Sequence, residues 1–208
     1  MDTDLKKTLR ASEQDREDVK LKRDQWMRML PSLDPQKLVF LDESGVKTNM
    51  TRLRGRAKNG LRLFAQAPHG HWCTTTLISS IRLNGETATL EIEGASDSIA
   101  FRTYIEQILS PSLKEGDVVV MDNLRSHYDL KAIEQIEHCG AQVLFLPPYS
   151  PDFNPIEKMW SKIKSFLRKL EARSQRELSY AITQAFKRVT PEDARGWFSS
   201  CFITVSQS

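Results

Sequence analysis

The spacing of apolar positions changes several times along the chain, and each change predicts an element. Residues 1–30 mix both signs of charge, with Val19, Trp26, Met27 and Leu30 at helical spacing. That pattern predicts one exposed amphipathic helix, closed by Pro31 and Pro35. Lys37–Asp42 is a short continuous apolar run ending in an acid, as expected of a buried strand. Gly60–Ala67, Trp72–Leu83 and Thr87–Glu93 are rich in β-branched and aromatic residues, and Asn84-Gly85 is a two-residue hairpin signal. Helical spacing returns over Ser98–Leu109, followed by a second buried strand ending in an acid at Asp117–Asp122. A helix over His127–His138 and a third buried strand over Gln142–Leu146 come next. Pro147-Pro148-Tyr149-Ser150-Pro151 then forces an extended turn. From Pro155, the positions Ile156, Trp160, Ile163, Leu167 and Leu170 predict a long helix. Leu178, Ala181, Ile182, Ala185, Phe186 and Val189 predict another, and Thr190-Pro191-Glu192-Asp193 is the capped start of a last short one. Strands and a hairpin followed by alternating helix and strand describe an α/β domain, a mixed sheet covered by helices.

Length and composition narrow this picture little. The 208 residues fit one large domain with an appendage, and 39% hydrophobic with 27% charged residues describes a chain able to bury a core. The net charge of +3 excludes a polybasic protein, but its distribution is uneven. Residues 38–62 carry six basic and two acidic side chains, residues 63–157 five and thirteen, and residues 158–176 seven and one. Two basic blocks flanking an acidic middle suit a protein that brings carboxylates to a polyanion; solvated helix and loop faces would look the same.

Other classes drop out. No apolar run approaches the length of a bilayer span, and Met-Asp-Thr-Asp-Leu-Lys-Lys at the start has no apolar core of a secretory signal. Three well-separated cysteines, Cys73, Cys139 and Cys201, predict unpaired thiols in a reducing, cytoplasmic setting. His69, His71 and Cys73 alternate like half of a zinc site, but no second pair completes it, which favours loop and strand residues. The chain lacks a Walker loop, a dinucleotide-binding glycine pattern and a serine-hydrolase elbow, so no nucleotide cofactor is expected.

The acids are more informative. Asp42 and Asp122 each end a buried strand, where ligands gather in open α/β sheets, although either alone would serve as a turn cap. Asn154-Pro155-Ile156-Glu157 has the form of a capping box, which would give Glu157 a purely structural task. Yet the preceding turn launches that helix from the sheet edge that carries both aspartates. Three carboxylates together repel unless cations neutralise them, and hard divalent ions, Mg²⁺ or Mn²⁺, are the physical answer. Two such ions can clamp the attacking and leaving oxygens of a phosphoryl displacement without ATP.

Leu-Asp-Glu-Ser (41–44), Met-Asp-Asn-Leu-Arg-Ser-His (121–127) and Leu-Phe-Leu-Pro-Pro-Tyr-Ser-Pro-Asp-Phe-Asn-Pro-Ile-Glu (144–157) resemble the catalytic domain of bacterial insertion-sequence transposases in the mariner-like superfamily. The resemblance covers about residues 37–175, and the 34 residues between Asp122 and Glu157 match the superfamily's spacing. It implies a ribonuclease-H-like fold over 37–208, with 1–36 as a helical extension. It also implies cut-and-paste transposition: hydrolysis of a phosphodiester at the element end, then attack of the freed 3′-hydroxyl on target DNA. Asp42, Asp122 and Glu157 would hold two Mg²⁺ or Mn²⁺ ions. Asn123 and His127 match the Asp-Asn-x-x-x-His pattern and would support them, His127 by contacting a phosphate or the attacking water, or by capping a helix.

The basic blocks then become candidate DNA contacts: Lys164 and Arg168 on the helix beyond Glu157, and Lys47, Arg52, Arg54, Arg56, Lys58 and Arg62 in a loop-like stretch. Implied partners are double-stranded DNA at the element ends and target, and a second copy of the chain once assembled on DNA. No membrane partner is implied. The setting would be the bacterial cytoplasm, with nucleoid association when bound to DNA. Members of this superfamily usually carry helix-turn-helix modules ahead of the catalytic domain. Only about 36 residues precede the first strand here, so the chain resembles a catalytic half. A catalytically silent fragment that binds DNA or full-length transposase as a regulator is the alternative, and a nuclease or integrase on the same fold a third.

Overall fold

The computed structural model describes residues 11–52, 54–55, 62, 64, 66, 68 and 70–203; the strand expected over 60–67 lies largely outside that set. Five strands form one mixed sheet: β1 (Leu38–Lys47), β2 (Thr74–Arg82), β3 (Thr87–Glu93), β4 (Val118–Met121) and β5 (Gln142–Phe145). Their order is β3-β2-β1-β4-β5. The β1–β2 and β2–β3 pairs are antiparallel, while β4 runs parallel to both β1 and β5. This is the ribonuclease-H-like sheet that the resemblance implies.

Helices cover both faces, which is why the short strands read as continuous apolar runs. One face of β1 presents Leu38, Phe40 and Val46 to a cluster that includes Trp26, Ile156, Trp160, Ile163, Leu178 and Phe198. These come from α1 (Glu17–Met29), α4 (Ile156–Leu170), α5 (Gln175–Phe186) and α6 (Pro191–Ile203). The other face presents Val39 and Leu41 to Phe101, Tyr104 and Ile136, supplied by α2 (Ser98–Tyr104) and α3 (Leu130–His138). Burying each large apolar side chain contributes roughly 1.5–3 kcal/mol.

Several boundaries differ from expectation, for physical reasons. The strand β1 does not end at Asp42. It pairs with β4 only as far as Phe40↔Val120 but continues along β2 to Lys47↔Thr74. Beyond Leu41 polar residues are tolerated because one flank is open. The helix expected from His127 begins at Leu130, where the Asp129 carboxylate accepts a hydrogen bond from the Ala132 N–H. The helix over Ser98–Leu109 is α up to Tyr104 and a π-turn over Ile105–Leu109. The last helix runs 13 residues rather than being short. The N-terminal helix docks on the sheet, with Val19, Trp26 and Leu30 all buried. At the β2–β3 hairpin Gly85 has φ +84°, and a Cβ there would lie 3.0 Å from the Pro191 nitrogen, so the turn packs directly on the start of α6.

Candidate active site

Side-chain alternation decides what Asp42 meets. It shares parity with Leu38 and Phe40, so it points to the α4 face, where it is 7% exposed. Its Oδ2 accepts a 3.2 Å hydrogen bond from the Trp160 Nε1–H, and its Oδ1 accepts one of 2.8 Å from the Glu43 N–H. Trp160 lies three residues after Glu157, on the same side of α4.

Asp122 follows β4 immediately, at the edge where β1 outlasts its parallel partner. The Leu124 N–H donates to its Oδ1 at 3.0 Å, and His127 Nδ1 lies 2.7 Å from the same oxygen. His127 is fully buried, with its ring centroid 4.7 Å from that of Phe101. Asp129, not His127, caps α3, and the buried His127 ring instead holds Asp122. On the far side of that ring Nε2 has no hydrogen-bond partner, and Glu43 Oε1 stands 3.9 Å away. Asn123 ties two loops together. Its Nδ2 donates to the Leu146 carbonyl at 2.7 Å and its Oδ1 accepts from the Tyr128 hydroxyl at 2.6 Å.

Glu157 arrives through the proline turn. The expected capping box does not form: α4 begins at Ile156, its N-cap is Pro155, and no side-chain cap bond is made there. The Asn154 carboxamide accepts from the Ile156 N–H at 3.4 Å. The capping box of this region is Ser174 with Glu177, at the start of α5. Glu157 is thus free of a capping task and lines a cleft of about 390 Å³ with Asp42, Asp122, Asn123, Leu124 and the Pro147–Pro151 turn.

The segment ahead of β1 braces that turn. Gln14 Nε2 donates to the Tyr149 carbonyl at 2.6 Å. Arg23 donates to Ser150 Oγ at 2.7 Å and to both Asp152 oxygens at 3.0 and 2.7 Å, with its guanidinium 4.2 Å from the Phe153 ring centre.

Charge in the cleft is unbalanced. Burial, then the neighbouring Glu157 and Asp122 charges, push Asp42 up to about 7 against the hydrogen bonds from Glu43 and Trp160. Burial and Asp122 raise Glu157, opposed by Lys164. Burial would also raise Asp122, but the His127 hydrogen bond and the Leu124 N–H hold it below the ordinary carboxylate value. Lys164 is lowered chiefly by its own burial. Among the described residues no three His, Cys, Asp or Glu side chains are already gathered into a metal cage. The donor chemistry nevertheless fits a hard divalent cation, because three carboxylates line one cleft and two of them are raised, chiefly by burial and then by their acidic neighbours.

The basic candidates separate. Lys164 is half-buried and acts electrostatically on Glu157 and Asp42. Arg168 joins Lys169, Ser165, Arg52 and Arg54 around a second groove of about 660 Å³, so residues from both basic blocks meet. Lys47 lies 5.9 Å from the Trp72 ring centre. Arg56, Lys58 and His69 lie outside the described residues; His71 and Cys73 are exposed. The three cysteines are unpaired. No helix among the described residues is long and apolar enough to cross a membrane.

Sequence reasoning missed Trp160 as a partner of Asp42, although a buried indole N–H needs an acceptor and the Glu157 spacing put one in reach. It also missed the bracing of the turn by Gln14 and Arg23, which lie 135 and 127 residues from their partners Tyr149 and Ser150.

The family described as DDE superfamily endonuclease matches residues 37–179. Among solved structures, the Mos1 transposase paired-end complex with left transposon end is similar at a TM-score of 0.75 and 15% identity, covering 98% of this chain and 67% of that one. The Mos1 mariner paired-end complex with Mn gives 0.74 at 16% identity, over 98% and 65%. The catalytic domain of Mos1 mariner transposase gives 0.66 at 13%, over 96% and 95%. The chain thus spans about two thirds of the longer Mos1 chains and nearly all of the catalytic domain. No curated protein matches it. At these identities the likeness is one of fold.

Proposed function

The chain belongs to the DDE superfamily endonucleases, and from that premise we propose that it is the catalytic domain of a mariner-like, cut-and-paste DNA transposase. One observation carries the reading: Asp42 from β1, Asp122 from the end of β4 and Glu157 from the first turn of α4 line one cleft, with Asp42 pushed up to about 7. In this reading Asp42, Asp122 and Glu157 hold two Mg²⁺ or Mn²⁺ ions. When bound, these supply an activated water and Lewis acidity at the phosphodiester. The chain's own residues prepare the site. Trp160 orients Asp42, His127 fixes Asp122, Asn123 ties the Asp122 loop to the turn that launches Glu157, and Lys164 offsets part of the negative charge. The reaction hydrolyses a phosphodiester at an element end and joins the resulting 3′-hydroxyl to target DNA.

The second groove supplies the track for DNA. Arg168 is eleven residues beyond Glu157, about 16 Å along a helix rising 1.5 Å per residue. Arg52, Arg54, Arg168 and Lys169 there contact backbone phosphates beyond the cut, without reading sequence. The partners are double-stranded DNA and, because two ends must be cut together, a second copy assembled on it. No nucleotide cofactor takes part, and the setting is the cytoplasm and nucleoid of a bacterium.

The test uses a pre-nicked duplex carrying the terminal repeat of the element that encodes the chain, with Mn²⁺. Strand transfer is expected, and it vanishes in Asp122→Asn while salt-sensitive DNA binding persists. Undiminished activity in that variant sinks the assignment. Binding without any turnover by the wild-type chain favours the silent regulator instead.

A further inference from the structure

The cleft is lined by two chemically different sets of residues: Asp42, Asp122 and Glu157, and Leu124, Pro147, Pro148 and Tyr149. Leu124 and Tyr149 are both large and exposed, at 43% and 47%. Two apolar side chains left in solvent beside a charged centre call for a reason, since burying them elsewhere would stabilise the fold.

The backbone at Tyr149 sharpens the point. It has φ +56°, and among the described non-glycine residues it shares a positive φ only with Glu171, the C-cap of α4. A left-handed conformation at an aromatic residue costs roughly 1–2 kcal/mol and persists only when the surroundings hold it. Here they do: Gln14 Nε2 donates to the Tyr149 carbonyl at 2.6 Å, Ser150 Oγ donates to the Pro148 carbonyl at 3.0 Å, and Arg23 holds that hydroxyl. Contacts from 135 residues away therefore keep one exposed tyrosine in a strained position on the cleft wall.

We infer that Tyr149, in the cleft that Leu124 also lines, is a stacking platform for one unpaired nucleobase next to the scissile phosphate, the phosphate lying at the carboxylates of the same cleft. This rests on the reading of the cleft as a phosphodiester-cleaving site. Its support is chemical: a nucleotide is an anionic phosphate joined to a flat apolar ring, and the cleft's lining offers both oxygen donors for cations and an aromatic and aliphatic surface. The cleft's volume of about 390 Å³ lies within the ~300–1,000 Å³ of small-molecule sites, room enough for one nucleotide. A base that stacks there leaves the duplex stack to do so.

The experiment crosses a protein change with a DNA change. The wild-type chain, Tyr149→Ala and Tyr149→Phe each nick the terminal-repeat duplex with Mn²⁺. The duplex carries either its natural base or an abasic residue on each flank of the scissile phosphate in turn. Tyr149→Ala is expected to slow nicking of natural DNA roughly 5- to 100-fold, the range of one lost aromatic–base stack. Tyr149→Phe, which keeps the ring, restores most of that rate. On the duplex abasic at the correct flank, wild type and Tyr149→Ala nick at the same rate. A second readout is 2-aminopurine at that flank in Ca²⁺, whose fluorescence is quenched by wild type and Phe but not by Ala. A Tyr149→Ala penalty that persists in full on both abasic duplexes, or no penalty at all, overturns the inference while leaving the nuclease reading intact. Failure of the wild-type chain to nick any duplex removes both.

Discussion

Asp117 and Asp42 lie at opposite ends of the same parallel strand pair and are 3% and 7% exposed, yet their surroundings treat them in opposite ways. Both Asp117 oxygens are taken by Arg82, at 3.1 and 2.6 Å, and the Lys114 N–H adds a third bond at 2.7 Å. Burial alone would raise Asp117, but these partners hold it below the ordinary carboxylate value. The hydrogen bonds to Asp42 come from two neutral N–H groups, and its charged neighbours include Glu157 and Asp122. One carboxylate is complete within the chain. The other takes its hydrogen bonds from neutral groups and faces acidic neighbours, and burial by itself does not tell the two apart.

The sharpest way to break the comparison is to disturb the charges at each end in turn. Asp122→Asn should lower metal-dependent nicking by on the order of 10³-fold or more, since a metal ion contributes several kcal/mol at the transition state and each ~1.4 kcal/mol is tenfold. Its thermal midpoint should stay near that of wild type, as differential scanning calorimetry can check.

At the other end the losses exchange places. Arg82→Met leaves Asp117 buried and unpaired and should cost about 3–5 kcal/mol in denaturant unfolding. Nicking measured well below the melting transition should be close to normal. Arg82→Met combined with Asp117→Leu should recover most of that stability, and a double variant as unstable as the single one would refute the pairing argument.

Opposite pH slopes should follow in the metal-free protein. Asp42 is raised from 3.8 to about 7, so its neutral form favours folding. Its contribution is full below 3.8 and is lost as pH rises through about 7. By linkage the loss is at most about 4 kcal/mol, and Asp42→Asn should abolish it. Asp117 is lowered, so its contribution is full above 3.8 and is lost as pH falls through its depressed value. Urea midpoints across pH 3–8 separate the two, and Mn²⁺ should flatten the upper limb. An upper limb unchanged in Asp42→Asn would contradict the assignment.

The smallest effect tests the brace between the N-terminal helix and the cleft wall. Arg23→Ala removes a bidentate ion pair that is partly exposed, and should lower stability by about 1 kcal/mol. The Mn²⁺ concentration for half-maximal nicking should rise several-fold while DNA affinity holds. An unchanged metal dependence would reduce the brace to ordinary packing.

Periodicity made the elements legible wherever one pattern ruled. The strand Thr87–Glu93 lies where expected, and the helix from Ile156 shows the spacing of its buried residues. It failed where tertiary context took over. Asp42-Glu43-Ser44-Gly45 reads as a turn, but pairing with β2 keeps it extended. Asn154 and Glu157 have capping-box spacing, but Pro155 takes the N-cap position. The acids of the site were legible through three short motifs, while their neighbours were not. Trp160 reads as core, nothing in the sequence marks His127 as the partner of Asp122, and the partners of Tyr149 and Ser150 lie more than a hundred residues away.

The four residues before Asp42 are Leu38, Val39, Phe40 and Leu41, apolar on both faces of the sheet. A strand of that composition can slide by one position and still offer each face a greasy surface. Its acids have no such tolerance, because Asp42 and the adjacent Glu43 project to opposite faces. A one-codon insertion or deletion in this stretch would exchange them, sending a glutamate toward α4 and the aspartate toward His127. Such lineages should keep a folded, soluble domain and lose cleavage in a single event. Among related chains, the length between Leu38 and Asp42 should therefore be preserved more strictly than the identity of the residues that fill it.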